Sequence, residues 1–178
     1  MRLFGPLVSL GLGLVPAAMF AMAAPMSAAV PAPQVGIASF DQLAQPLPYP
    51  YDTTADADRA VNKARQRAIA RHKLLLIDLG GNWCPDCRIL AGTMATPKLK
   101  AFVESHYELV MVDIGRYDKN GQIAVRYGVT GRLTGVPSLL VIEPRANTLI
   151  NQGHTAALAD ARSMTPQALA DWLASWLG

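Results

Sequence analysis

The sequence predicts an α/β domain built on a mixed central sheet with helices on both faces. Two short, nearly continuous apolar runs, residues 73–79 and 108–114, fit strands buried on both sides. Segments of helical spacing precede, separate and follow them. A third apolar run, 138–142, leads through a turn-forming stretch into a fourth strand, 148–151.

The elements follow in order. Residues 52–71 read as a helix: Ala57, Ala60, Val61, Ala64 and Ala68 recur at helical spacing, with Thr53, Thr54, Asp56 and Asp58 at its start. The first strand, 73–79, breaks at Gly80-Gly81-Asn82. A second helix starts at Cys84 and runs through Arg88, Ile89, Leu90 and Met94. Pro97 interrupts it, and 97–106 forms a further turn or helix. After the second strand come a polar loop, 115–121, and a short helix, 122–127. In the closing helix Thr165 can cap and Pro166 fits the first position, while Leu169, Trp172, Leu173 and Trp176 form one apolar stripe. Strands separated by helices imply parallel pairing with right-handed crossovers. The last two strands, joined by a short turn, should run antiparallel.

The chain has 178 residues, 51% of them hydrophobic, enough for one domain with an extension and a sizeable core. A net charge of +3 is not concentrated enough to imply nucleic acid as a partner. Arg59, Lys63, Arg65, Arg67, Arg71 and Lys73 cluster on one stretch, which reads first as a solvated helix face and second as a surface for an acidic partner. Residues 1–29 have the layout of a secretory signal peptide. Met1-Arg2 is followed by an apolar stretch broken by Pro6 and Pro16, and small residues offer cleavage between about 23 and 29. The prolines and the small-residue finish favour cleavage over anchoring. This places the mature protein in the periplasm or outside the cell. Residues 30–50, rich in Ala and Pro, read as an extended approach to a domain spanning 51–178.

Two cysteines are present, in the run Trp83-Cys84-Pro85-Asp86-Cys87. A C-x-x-C pair opening a helix brings its sulfurs close enough to join and separate with little backbone movement. Unpaired N–H groups and the helix dipole stabilise a thiolate at Cys84, and a thiolate is the attacking species in disulfide exchange. Cys87, a turn further in, is expected to be less exposed. Haem attachment needs a histidine where Arg88 stands. Zinc would need further ligands, and His72, His106 and His154 are scattered, which leaves a site shared between two chains. A structural disulfide would close a tiny loop and stabilise little.

These residues resemble the thioredoxin superfamily from about Leu74 to the C-terminus. The likeness rests on four features in order: Trp-Cys-x-x-Cys after a hydrophobic strand; Asp78, six positions before Cys84; Gly135-Val136-Pro137-Ser138 ahead of the third strand; and the closing amphipathic helix. The resemblance implies a thioredoxin-like fold and thiol–disulfide exchange without a bound cofactor or metal. It makes Cys84 the nucleophile, Cys87 the resolving thiol and Asp78 a buried acid that handles the proton of Cys87. It makes Pro137 a cis-proline facing the sulfurs, the Val136 backbone a pairing site for an extended substrate segment, and Trp83 a partner-contact surface. Plainer roles are a strand-end acid for Asp78, a trans proline opening a strand for Pro137, and a core aromatic for Trp83.

Between the cysteines stand Pro85 and Asp86, and Asp86 should oppose the helix dipole and raise the Cys84 pKa. That favours reductive or isomerising work over oxidation. The implied partners are exported proteins with disulfides and an electron-donating redox protein, for which a membrane protein is a candidate. The competing class is a thioredoxin-fold metal-binding or adaptor module, with the cysteine pair holding a soft ion near Met94 and Met111. Arg116, Tyr117, Asp118, Arg126, Tyr127 and Arg132 read mainly as solvated loop groups, and His154 as a lone exposed histidine.

Overall fold

A computed structural model describes Met1 and residues 29–178. The expected signal peptide therefore lies almost wholly outside the described residues. The regular elements are α1 (Ala57–Arg71), β1 (Leu74–Gly80), α2 (Pro85–Met94), α3 (Pro97–His106), β2 (Tyr107–Asp113), α4 (Gln122–Arg126), β3 (Ser138–Glu143), β4 (Thr148–Leu149) and α5 (Pro166–Ala174), with 3-10 turns at Phe40–Gln42 and Ala161–Ser163.

The sheet order is β2-β1-β3-β4. Strand β1 is parallel to β2 and antiparallel to β3, and β3 is antiparallel to β4. The expected parallel pairing therefore holds for β1–β2 and fails for β3. A seven-residue strand spans roughly 23 Å, whereas a five-residue α4 advances only about 8 Å. The connection also stays at the end of the sheet where β1 finishes: Ile114 N–H donates to Gly80 O, and Ser138 enters opposite Leu79. From there β3 can only run back along β1.

Side-chain alternation along the strands divides the core in two. Leu75, Ile77, Leu79, Leu140 and Ile142 pack under Val61, Ala64 and Ala68 of α1 and Ile123 and Ala124 of α4. Leu76, Leu139 and Val141 face Leu90, Leu99, Val103, Leu169 and Leu173 of α2, α3 and α5. Helices thus cover both faces, as expected.

Local chemistry sets the element ends. Asp52 accepts from Thr54 N–H (2.8 Å) and Thr54 Oγ1 (2.7 Å), closing a turn, so α1 begins five residues later than expected, with Asp56 accepting from Arg59 N–H as its cap. Residues 97–106 are a full helix with Pro97 in its first turn. Strand β4 stops at Leu149 because the Asn151 side chain takes over the pairing. It accepts from Val141 N–H (2.9 Å) and donates to Leu139 O (2.8 Å). The stripe expected on the closing helix divides: Leu169 and Leu173 are buried, while Trp172 and Trp176, the latter past the end of α5, are half-buried and meet edge-on at 5.6 Å. On α1, Arg67 and Arg71 both pair with the buried Glu108 at 2.9 and 2.6 Å, so part of the basic stretch is tied to the sheet rather than freely solvated.

Residues 30–50 lie against the α2–α3–α5 side. Val35 and Leu43 are buried. Gln167 accepts from Val35 N–H and donates to Pro33 O. Arg88 of α2 donates to Leu47 O (2.6 Å) and Pro48 O (3.1 Å) and stacks on the Tyr49 ring. This strap brings the chain past α2 and delivers Tyr51 to the interior.

Candidate active site

Helix α2 opens at the cysteine pair. Cys84 is its N-cap in extended conformation, Pro85 occupies the first turn, and Cys87 N–H donates to Cys84 Sγ at 3.2 Å. Proline suits this place because the N–H it lacks would have no helical partner. Both thiols are free. The Cys84 pKa falls from 9.0 to about 7. The hydrogen bond from the Cys87 thiol lowers it most, the Cys87 backbone N–H adds to this, and burial and the Asp86 charge oppose it. Cys87 moves far upward, because its thiol donates a hydrogen bond to Cys84 and lies buried beside the charge of Asp78. The two sulfurs are thus set apart chemically, one poised to ionise and one held protonated.

Cys84 is more enclosed than expected. Only 3% of its surface is exposed, against none for Cys87. Its cover comes from the loop before β3: the Cys84 thiol donates to Val136 O at 3.4 Å, and the Val136–Pro137 peptide is cis. The structure therefore brings Val136 and Pro137 to the sulfurs. The Val136 carbonyl, expected to be available to a substrate strand, is engaged by Cys84 itself.

Asp78, on β1, is fully buried. Burial pushes its carboxyl from 3.8 to about 7; a hydrogen bond from Tyr51 lowers it and the charge of Cys84 raises it. The Tyr51 hydroxyl donates to Oδ1 at 2.9 Å, and Oδ2 has no partner among the described residues. Tyr51 is fixed by Asn82, which accepts from Tyr51 N–H (3.0 Å) and donates to Tyr51 O (2.9 Å). Gly80 is required here for space: a Cβ would collide with the Tyr51 hydroxyl and stand 2.8 Å from Cys87 Sγ. Gly80, expected to break the strand, is its last residue, and Tyr51 has no signature in the sequence, because a tyrosine at the end of a proline-rich approach carries no signal of a partner in β1.

Asp86 is the second residue of α2. It is buried and held by Arg162: the backbone N–H donates to Oδ1 (2.9 Å), Nε to both oxygens (3.0 and 3.1 Å), and Nη2 to Oδ2 (2.5 Å). Its carboxyl falls below the usual range because those bonds and the guanidinium charge outweigh burial. Asp86 still raises the Cys84 pKa, as expected, but the contribution is smaller than the hydrogen bonds that lower it. Arg162 lies in the irregular stretch before α5, which offered no motif.

Trp83 is 39% exposed. Its Nε1 donates to Gly115 O, Tyr117 lies 6.0 Å away ring to ring, and Arg116 sits over it at 5.2 Å. With Arg132 over Tyr117 at 4.7 Å, this makes a cationic and aromatic margin next to the cysteines, built from residues expected to be solvated loop groups. His154 is exposed, its ring tilted by 50° against that of Trp176 at 5.7 Å. Met94 and Met111 line a cavity of about 620 Å³ along the outer edge of β2, and Met94 packs in the opposite core layer from the cysteines.

A cis-proline loop against a helix-capping C-x-x-C pair, with a buried acid on the adjoining strand, defines a protein of the thioredoxin class. A thioredoxin-like family model matches residues 54–144, and the chain belongs to that family. It is 30% identical over 78 residues to a thioredoxin of Alicyclobacillus acidocaldarius subsp. acidocaldarius, a match covering 44% of this chain and 66% of that protein. It is also similar to the crystal structure of a disulphide isomerase from Xylella fastidiosa Temecula1, with TM-score 0.66 and 34% identity over 72% of this chain and 96% of the other.

Proposed function

We propose that the protein is a thiol–disulfide oxidoreductase that reduces or isomerises disulfides of exported proteins. The observation that carries this reading is the division between two sulfurs one helical turn apart, with Cys84 acidic at the helix mouth and Cys87 buried beside Asp78. The Cys84 thiolate attacks one sulfur of a client disulfide. A Cys84–client bond forms, and the other client sulfur departs with the electron pair. Cys87 loses its proton toward Asp78 and attacks Cys84 Sγ. The Cys84–Cys87 bond forms and the second client thiolate leaves. The client is reduced, the cysteine pair is oxidised, and a redox partner must return two electrons. For isomerisation the mixed disulfide is instead resolved by another client thiol.

A Cys84 pKa near 7 matches the acidity of a thioredoxin-type reductant rather than the much more acidic thiol of a strong oxidant. Similarity to a disulphide isomerase supports the same direction. Export rests on the character of residues 1–29, and the electron donor is then a partner outside the cytoplasm, a membrane protein being the natural source. The test is trapping in the native compartment. Cys87→Ser should accumulate mixed disulfides with exported proteins through Cys84, and Cys84→Ser should abolish turnover. Full activity of Cys84→Ser together with no captured client would overturn the assignment.

A further inference from the structure

Tyr51 stands outside the residues that match the family model and is supplied by the N-terminal strap. Its hydroxyl donates to Asp78 Oδ1 at 2.9 Å. The same hydroxyl and Cys87 Sγ share the small volume that the missing Gly80 side chain leaves open. Of the two Asp78 oxygens, one is engaged by Tyr51 and the other has no partner among the described residues. The Asn82 pair holds the Tyr51 backbone, so the hydroxyl is positioned from both ends.

We propose that Tyr51 is a catalytic residue, its hydroxyl carrying the proton between Cys87 Sγ and Asp78 Oδ1 during the resolving step. As Cys87 attacks Cys84 Sγ, its proton passes to the Tyr51 oxygen while the Tyr51 proton passes to Asp78. The two transfers are concerted, so no free phenolate forms and the net result is one proton moved from sulfur to carboxylate. Burial and the adjoining Asp78 and Cys87 push the Tyr51 pKa far above its usual value, so it serves as a conduit and never as a stored base. In the reverse direction Asp78 returns the proton through the same hydroxyl to the departing Cys87 thiolate.

The inference rests on the two-thiol reading above, and its test is independent of the client. Reduced protein is mixed with less than one equivalent of 5,5′-dithiobis(2-nitrobenzoate). Attack by Cys84 releases a first nitrothiobenzoate, and resolution by Cys87 releases the second. Across pH 6–9, Tyr51→Phe should lower the plateau rate of the second release by about tenfold or more, with the first release changed less than about twofold. Tyr51→Phe in an Asp78→Asn background should be no slower than Asp78→Asn alone. A midpoint shift with an unchanged plateau would mean that Tyr51 only tunes Asp78, and would overturn the relay. Equal slowing of both releases with a lowered Tm would reduce Tyr51 to a structural role, with the same consequence. Wild-type protein that gives both releases but no turnover of protein disulfides would strike the proposed function and leave the relay standing.

Discussion

Replacing Asp78 with Asn should stabilise the reduced protein, and by an amount that depends on pH. In the unfolded chain this carboxyl loses its proton near 3.8; in the folded protein burial holds the proton until about 7. Between those values the folded state binds more protons than the unfolded one, so stability falls as pH rises through the window, and the deficit is complete above it. Three pH units at about 1.4 kcal/mol each give ~4 kcal/mol at pH 8, and the same linkage gives ~1 kcal/mol at pH 4.5. Asn keeps the shape of the side chain and cannot ionise, so the variant escapes the penalty. Guanidinium unfolding of both proteins under excess phosphine reductant at the two pH values reads the difference directly. A gap that does not change with pH, or a variant less stable than wild type at pH 8, would refute the claim that an ionisable carboxyl is buried at a cost. On the proposed mechanism the same substitution should also slow the resolving step near neutral pH.

Arg162→Gln should leave Asp86 charged and uncompensated at the mouth of α2, raising the Cys84 pKa, and Asp86→Asn in the same chain should bring it back down; thiolate absorbance at 240 nm follows both. If the single variant titrates like wild type, Arg162 has no part in the acidity of Cys84. Asn151→Ala removes the partners of Val141 N–H and Leu139 O in the buried sheet and should destabilise by about 3 kcal/mol in denaturant unfolding, with little effect on the acidity of Cys84. A loss below about 0.5 kcal/mol would mean that main-chain pairing re-forms across that position.

What the sequence made legible was whatever is written locally. Strands buried on both faces leave continuous apolar runs, and β1, β2 and β3 lie within about a residue of where the runs predicted them. Helix α5 announces itself through Thr165 and Pro166, and α2 through Cys84, which caps it, and Pro85 in its first turn. The direction of β3 was not legible, because it depends on which end of the sheet the β2–β3 connection occupies, and no short window encodes that. The start of α1 was misplaced because Asp52 and Asp56 are both good caps, and only the turn at Thr54 decides between them. Within the site, Asp78, Cys84 and Cys87 fall in one short stretch and Pro137 in a short motif of its own, and the structure brings the Val136–Pro137 loop against the cysteines. Tyr51 and Arg162 reach the same place from opposite ends of the chain. Tyr51 is positioned by Asn82, and Arg162 by a bidentate grip on Asp86. Long-range pairs of this kind leave no periodicity to read. The charge of Asp86 was legible and raises the Cys84 pKa as expected, but its pairing with Arg162 was not legible.

The unequal acidity of the two thiols is measured most directly by the pH dependence of iodoacetamide alkylation in the reduced wild-type protein, with the modified residue identified by mass spectrometry. Cys84 should be alkylated with a midpoint near pH 7 while Cys87 is spared. A midpoint near 9, or alkylation of Cys87 as fast as of Cys84, would contradict the account.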